Sequence, residues 1–276
     1  MTEVLTRDVP VASGRKRRHR PITDRRGGVI AIRVLVFGAF AGVWQLLAVR
    51  SDSLLIPTFT ETVGALFQLM FQDGELWGPL WESNKAVVIG FPLAVVTAIP
   101  IGLAMARWAY FGRFMNPWAI LLLALPIAPL TPLLILGFGI GMTSRVIVVV
   151  LFCWVFIALN TRAGVRGVDP SLIEMARAFD ANERQVWRFI LLRGAMPGII
   201  AGLRIGLARA IAGMVVVELL MVPAGVGGLM LRFRGQFEAG LVFAVVLAVI
   251  LESVLILFGM RALERRLVPW ANAAQV

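Results

Sequence analysis

Apolar blocks long enough to cross a bilayer recur along the chain and limit its fold more than any other feature. A helix needs about 20 residues to cross roughly 30 Å of hydrocarbon. Hydrophobic residues make up 59% of the chain and charged residues 16%, whereas about 25% of residues in soluble domains are charged. We therefore predict an all-α, polytopic membrane protein rather than a soluble domain with buried helices. Its six predicted transmembrane helices cover approximately residues 29–49, 86–106, 117–136, 146–159, 195–221 and 241–260.

Basic residues mark the segments between these blocks that face the cytoplasm. A basic run at 15–20 precedes the first block, and arginines recur after the second, fourth and sixth blocks. Cytoplasmic segments collect lysine and arginine, so this pattern predicts that both termini are cytoplasmic. The acidic segment 50–85 is expected outside, with an interfacial helix that begins at Thr60. The glycine-rich segment after the fifth block is predicted as an outer loop, although it carries Arg232 and Arg234.

Three regions follow from these patterns. Residues 1–28 are predicted to be a basic cytoplasmic tail, residues 29–270 a transmembrane domain with a cytoplasmic loop at 162–194, and residues 271–276 a C-terminal tail. The net charge of +11 is explained by membrane topology. We accordingly expect contact with membrane lipid and no binding of nucleic acid.

Candidate ligands for a metal or cofactor are scarce in this sequence. The single histidine, His19, lies in the basic tail, and the single cysteine, Cys153, lies within an apolar block. We expect no metal site, no cofactor and no catalytic residue in this chain. A GxxxxGK[ST] phosphate-binding loop is also missing from the sequence. Energy from ATP would therefore have to come from a separate protein.

The loop at 162–194 contains a pattern typical of a short helix. Its Asp-Pro-Ser run at 169–171 offers a helix start, because proline is tolerated in the first turn. Ser171 and Glu174 have the spacing of a capping box. The apolar residues that then share one helical face are Leu172, Ala176 and Phe179.

A second short helix is predicted to follow a turn at Asp180. Asn182 and Gln185 repeat the capping-box spacing, and Val186 and Phe189 continue the apolar pattern. These apolar residues have no partner within their own loop, so the pair of helices is typical of a surface that docks another protein. Two alternatives are a pair that lies flat on the membrane and a DNA-binding helix-turn-helix. The second is disfavoured because both helices are short and joined to membrane spans.

The same loop resembles the cytoplasmic motif of binding-protein-dependent ABC import permeases. That motif reads Glu-Ala-Ala, three residues, Gly, nine residues, Ile-x-Leu-Pro, and its spacing is kept here. The likeness continues through ALPIAPLTPLLILGFGIG before the loop and AMPGIIAGLRIGLARAIAGMVVVELL after it. The chain is most similar to the branch that imports sulfonates, taurine, nitrate and related solutes. The positions that match the motif are Glu174, Met175, Ala176, Asp180, Ile190, Leu192 and Arg193.

The resemblance implies a type I ABC importer permease in the bacterial inner membrane, which moves a small anionic solute. It implies two separate ATPase subunits that bind ATP and Mg, a second permease copy or paralogue, and an extracytoplasmic solute-binding protein. Asp180 replaces the motif glycine, and aspartate tolerates the positive φ that such a turn requires. The residues expected to dock an ATPase subunit are Ser171, Glu174, Met175, Ala176, Ala178, Phe179 and Asp180.

Ionisable residues inside the predicted spans suggest a path for the solute. Arg204, Arg209 and Glu218 are candidates, because charged groups in hydrocarbon face a cavity or pair with one another. Structural arginine–glutamate pairing, which would also include Glu252, is the alternative. An ion-coupled secondary transporter that works without an ATPase is the rival function, and a membrane-embedded enzyme is disfavoured because histidines are lacking.

Span packing is indicated by glycines and prolines. Two glycine pairs, Gly38 with Gly42 and Gly202 with Gly206, have the small-xxx-small spacing that permits close helix contact, and chance spacing is the alternative because glycine is abundant. The proline-rich third span, 117–136, is expected to be kinked and to face protein, because freed backbone groups cannot be left in lipid.

Overall fold

The computed structural model describes residues 26–51, 53, 55–220 and 223–268. The C-terminal tail predicted at 271–276 lies outside these residues, as does the predicted N-terminal tail up to residue 25. The helices are α1 (Arg26–Ser51), α2 (Phe59–Phe67), α3 (Trp77–Arg107), α4 (Ala109–Ala124), α5 (Ile127–Phe138), α6 (Met142–Arg166), α7 (Pro170–Ala178), α8 (Glu183–Gln185), α9 (Leu192–Leu220), α10 (Gly225–Gly235) and α11 (Ala239–Leu267), with π-helical turns at Gln68–Gln72 and Val186–Leu191.

Helices long enough to cross a membrane dominate the described chain. Five helical segments of the described chain qualify singly, and the bent pair α4 and α5 gives a sixth if the two helices together form one span. This number agrees with the six predicted spans. α1 belongs to a compact unit of its own, and the rest of the chain from Asp52 onward forms another. The five helical segments that qualify singly are Gly28–Ser51, Trp77–Arg107, Met142–Arg166, Glu183–Leu220 and Ala239–Arg266.

The predicted third span is sharply bent. α4 and α5 meet at 99°, and both Leu125 and Pro126 between them have extended backbone. A residue before proline is driven out of the helical region, which accounts for the break. Within α5, Thr131 is buried, but Leu133 and Leu136 are exposed. The prediction of a kink is confirmed. One side of the bent segment faces protein, since Ala119 of α4 packs with Met105 and Val155 and Thr131 of α5 is buried, whereas the exposed leucines of α5 have no such cover.

Close packing of α6 against α9 forms the centre of the larger unit. An ideal Cβ built on Gly202 would lie 2.8 Å from Cβ of Asn160, and one on Gly206 would lie 2.7 Å from Cγ1 of Ile157. Both distances are too short for any side chain, so the glycines allow the two helices to approach. The small-xxx-small contact predicted at Gly202 and Gly206 is confirmed, whereas Gly38 and Gly42 have no heavy atom within 4 Å of a built Cβ. Ile157 is itself fully buried in this seam.

α6 extends beyond the predicted fourth span, 146–159, at both ends. The predicted span was too short because the residues at both ends of α6 include polar side chains. Arg145 is buried and its Nη2 pairs with Oε1 of Glu82 at 2.7 Å. Arg162 donates a hydrogen bond to Oδ1 of Asn116 in α4. Polar residues lower the mean hydropathy of a segment, so a hydropathy pattern excludes them from a predicted span. Inside the folded chain they are tolerated within a span because they pair with other polar groups.

Two short helices lie in segments that the sequence presented as outer loops. α2 starts at a capping box between Thr58 and Glu61, not at Thr60, and Leu66 and Leu69 are buried in the core shared with α11. The second segment, predicted as a glycine-rich loop, is largely helical as α10. The loop prediction was wrong because glycine is penalised in isolated helices but permits tight tertiary contact.

Candidate functional site

The helical hairpin between α6 and α9, formed by α7, α8 and the following π turn, contains every residue predicted to dock a partner. Asp169 is the N-cap of α7, and its Oδ1 accepts a hydrogen bond from the backbone N–H of Ser171 at 2.9 Å. That hydrogen bond lowers the pKa of the Asp169 carboxyl. The predicted capping box of Ser171 with Glu174 was wrong, because the Asp169 carboxylate already satisfies this N–H.

The turn that ends α7 depends on the aspartate at the position of the motif glycine. Asp180 has φ +55°, as predicted. Its N–H donates to the carbonyl of Arg177 at 3.0 Å, and the N–H of Ala181 donates to the carbonyl of Ala176 at 3.0 Å. These two bonds form a Schellman motif, which satisfies carbonyls that a helix end otherwise leaves free. The turn therefore has a fixed geometry.

The second half of the hairpin starts at the predicted capping box. Oδ1 of Asn182 accepts from the N–H of Gln185 at 2.9 Å, and the N–H of Asn182 donates to Oε1 of Gln185 at 2.8 Å. From this cap the chain stays helical through the π turn into α9. Ala176 of α7 and Val186 of the π turn are both buried. The hairpin thus has a small apolar contact of its own.

One face of α7 remains apolar and exposed. Leu172, Met175 and Phe179 lie on it, and the Phe179 side chain is 81% exposed. The prediction placed Ala176 on this face, but the structure turns Ala176 inward and Met175 outward. The other predicted docking residues are also exposed, namely Ser171, Glu174, Ala178 and Asp180.

Glu183 forms two ion pairs that the sequence did not indicate, one within the hairpin and one that connects the hairpin to the end of α3. Glu183 pairs with Arg107 at 3.2 Å and with Arg177 at 3.3 Å. The Arg107 guanidinium also lies 5.2 Å from the ring centroid of Trp187. Exposed pairs of this kind stabilise by at most about 1 kcal/mol each, so they orient the hairpin more than they stabilise it. Only tertiary structure brings Arg107 within reach of Glu183.

The three predicted path residues have different surroundings. Arg204 pairs with Glu264 at 3.1 Å. Arg209 is exposed midway along α9, with its guanidinium 4.9 Å from the ring centroid of Phe156. Glu218 is completely buried. The alternative of structural arginine–glutamate pairing therefore agrees with the contacts of Arg204 and Glu218 and not with those of Arg209.

Glu218 belongs to a polar cluster that also includes Ser83 and Arg145. Ser83 Oγ donates to Oε2 of Glu218 at 2.7 Å, and Arg145 Nη1 lies 3.5 Å from its Oε1. Glu252 in α11 accepts a hydrogen bond from Asn84. Neither Ser83 nor Arg145 was singled out from the sequence, because a lone serine and an arginine at a predicted span end carry no distinctive signal. Among the described residues, no three His, Cys, Asp or Glu side chains are grouped as metal ligands.

Long apolar helices around a close α6–α9 seam, with an exposed helical hairpin between those two helices, define a polytopic membrane transport protein. The chain belongs to the family of binding-protein-dependent transport system inner membrane components, whose family model matches residues 98–269. It is therefore a permease subunit of an ABC importer in the inner membrane. The match includes the whole hairpin.

Related proteins carry several transport names. The taurine transport system permease TauC of Escherichia coli (strain K12) is 35% identical over 208 residues, which cover 74% of each chain. A Bacillus subtilis (strain 168) protein named as the aliphatic sulfonates transport permease SsuC is 30% identical over 96% of each chain. The riboflavin transport system permease RibX of Chloroflexus aurantiacus is 33% identical over 78% of this chain and 80% of its own.

Solved structures support the same fold. An inward-facing structure of the MetNI methionine ABC transporter contains a chain that superposes with a TM-score of 0.62. The match covers 69% of this chain and 95% of the other, at 19% identity. The likeness at this identity establishes the shared architecture.

Proposed function

We propose that α7 and the turn at Asp180 are the surface through which a separate ATPase subunit drives this permease. The exposed apolar face of Leu172, Met175 and Phe179 is the observation that carries the proposal. A solvent-exposed Phe and Met on a capped, rigid helix supply the kind of anchor that protein interfaces use. The match of these residues to the spacing of the importer motif supports the same role.

The hairpin connects directly to the two helices that form the central seam. α7 follows α6 by way of residues 167–169, and α9 continues from the π turn without a break. A force applied to α7 would therefore move α6 and α9 together as a rigid body. Two ATPase subunits that close on ATP and Mg would draw two such hairpins together, one on each of two permease chains, identical or paralogous.

The orientation proposed is the one that the arginines indicate. The six arginines of residues 162–194 lie at the end of α6, in the hairpin and at the start of α9, so the positive-inside rule supports a cytoplasmic position for the hairpin and both termini. The regions proposed are a basic tail at 1–28, the permease domain at 29–270 and a short tail at 271–276. An extracytoplasmic binding protein would then deliver solute at the end that holds α10.

A small anion is the solute class that the pathway supports best. Arg209 is exposed on α9 with an aromatic ring as its described neighbour and no described acidic partner. A cation in the middle of a span faces a cavity or another protein chain and not lipid. The names of TauC and SsuC agree with a sulfonate, whereas RibX shows that comparable identity extends to a different solute. Arg204 and Glu218 are weaker path candidates because each already has an ionic partner.

The docking role predicts the effect of charging the exposed face. Met175→Asp combined with Phe179→Asp should weaken binding of the ATPase subunit roughly 30-fold, because truncating an interface anchor costs about 2 kcal/mol or more. Uptake should be lost while membrane insertion is kept, measured by copurification and by transport into cells.

The matched control is Tyr110→Asp, which charges an equally exposed aromatic residue in α4 outside the hairpin. Asp180→Gly is a conservative variant, because glycine adopts the observed positive φ without strain; it should keep substrate-stimulated ATP hydrolysis. Normal uptake and ATPase binding by the doubly charged variant would contradict the docking role, and uptake without any ATPase would favour an ion-coupled transporter.

A further inference from the structure

Glu218 lies near the end of α9 that is opposite to the hairpin, where four helices meet. Its side chain is completely buried. Its carboxylate receives the Ser83 hydroxyl of α3 at 2.7 Å, the Gly227 N–H of α10 at 3.1 Å and the Arg145 guanidinium of α6 at 3.5 Å. The Glu218 side chain of α9 thus accepts hydrogen bonds from α3, α6 and α10.

The first turn of α10 depends on this cluster. Ser83 Oγ accepts a hydrogen bond from the N–H of Val226 at 2.9 Å while it donates to Glu218. The first N–H groups of a helix have no partner inside it, so Ser83 and Glu218 together act as its N-terminal cap. Gly225 has φ +59°, and a Cβ on Gly227 would lie 2.9 Å from the backbone N of Leu219. The first turn of α10 therefore packs directly against the backbone of α9.

The charge of Glu218 is balanced within the cluster. Arg145, only 5% exposed, lies between Glu218 and Glu82. Removing one partner from a buried pair is strongly destabilising, because the remaining charge stays buried without compensation. α3, α6, α9 and α10 are consequently tied to one another at this end of the molecule.

A continuous helical segment joins this cluster to the hairpin. Glu183–Leu220 spans 38 residues, and one helix of that length transmits a displacement from end to end. Building on the proposed docking role of α7, we infer that Glu218 is a positioning residue that makes α10 move with α9. Binding at the exposed end of α10, near Arg234 and Phe237, would then be linked to the hairpin and its ATPase. Such linkage acts in both directions.

The complete burial of Glu218 fits this role better than contact with solute. Its oxygens are already occupied by donors from three helices. The exposed end of α10 borders a cavity of about 520 Å³ lined by Arg234, Phe237 and Phe243, among others. A cationic and aromatic rim of this kind is available to a protein that docks there, whereas Glu218 is not.

The test uses the permease–ATPase complex in lipid nanodiscs, with and without solute-loaded binding protein. Glu218→Gln removes the charge but keeps an acceptor. Arg145 keeps its partner Glu82 in this variant, so assembly and basal ATP hydrolysis should be retained. Stimulation by binding protein should fall roughly fivefold or more, the lower bound for coupled sites. Ser83→Ala, which removes only the shared hydroxyl, should act in the same direction, and it decides the question if Glu218→Gln does not assemble.

Spin labels give a second readout that does not need the ATPase. Cys153→Ala removes the single cysteine, and Trp81→Cys with Gln236→Cys then places one label on α3 and one just after α10, both at exposed positions. The distance distribution should be narrow in the permease with native Glu218. It should broaden in Glu218→Gln and Ser83→Ala.

Two matched controls separate the cluster from general effects of burial. Glu252→Gln changes another acid inside a span, bonded to Asn84 and not to α10. Ser253→Ala removes a hydroxyl that donates to its own helix, at Val249. Both should retain full stimulation and a narrow distance distribution.

Stimulation and narrow distances retained by Glu218→Gln and Ser83→Ala would overturn the inference, as would equal losses in the two controls. If the native chain binds no ATPase, the docking role fails instead. The spin-label comparison then still decides whether Glu218 holds α10.

Discussion

Arg209 and Arg204 show how one residue type takes two roles on the same helix. Arg204 has Glu264 3.1 Å away, so its charge is compensated inside the chain. Arg209 has the ring of Phe156 on one side and is otherwise exposed. A ring face attracts the guanidinium but leaves its N–H groups free to donate. Arg209 is therefore the better candidate to contact an anionic solute.

Replacing Arg209 should change transport more than assembly. Arg209→Gln is expected to reduce uptake of an alkanesulfonate probe about tenfold or more, because a charge-assisted hydrogen bond contributes roughly 1.5–3 kcal/mol. ATPase binding should be unchanged, and Arg209→Lys should restore part of the uptake. Arg204→Gln is the comparison, with its main effect expected on thermal stability. Unchanged uptake by Arg209→Gln would remove Arg209 from the path.

At the scale of elements, the sequence predicted the helices well where the signal was local. The capping box of Asn182 and Gln185, the positive φ of Asp180 and the close approach at Gly202 and Gly206 all depend on neighbouring residues or simple spacing, and all are confirmed. The importer motif located the hairpin for the same reason.

The features that could not be predicted from the sequence, such as helix α10 and the partners of Glu218, depend on contacts between distant segments. α10 was predicted as a loop because its glycines disfavour an isolated helix, yet Ser83, 143 residues away from Val226, caps it. The partner of Glu218 is Arg145, which lies at the start of α6 and not in its own helix. Hydrophobic periodicity contains no information about which polar groups will meet in the folded chain.

The α6–α9 seam should be the least tolerant contact between elements. Gly202→Val would place side-chain atoms where Cβ of Asn160 already lies, and overpacking of this kind costs typically about 1–3 kcal/mol. A lowered midpoint of thermal unfolding in detergent is the expected result. Gly259→Val in α11 is the control, since no heavy atom lies within 4 Å of its built Cβ. Equal effects at the two positions would show that the seam is not specially tight.

On the scale of the whole molecule, the larger unit has an exposed surface near each end of α9. The hairpin precedes α9, and α10 follows it, so the two surfaces are separated by the length of one membrane-spanning helix. A helix of 29 residues is about 44 Å long. In the orientation proposed above, this one helix would link a partner on the cytoplasmic side of the bilayer to a partner on the outer side.

Photo-crosslinking from two matched phenylalanines is the sharpest test of the docking role of the hairpin. Phe179 at the hairpin and Phe237 after α10 are 81% and 79% exposed, and each can be replaced by a photoreactive phenylalanine in cells. Phe179 should crosslink to a protein that contains a GxxxxGK[ST] phosphate-binding loop, identified by mass spectrometry, and Phe237 should not. An ATPase adduct formed from Phe237 but not from Phe179 would contradict the docking role of the hairpin.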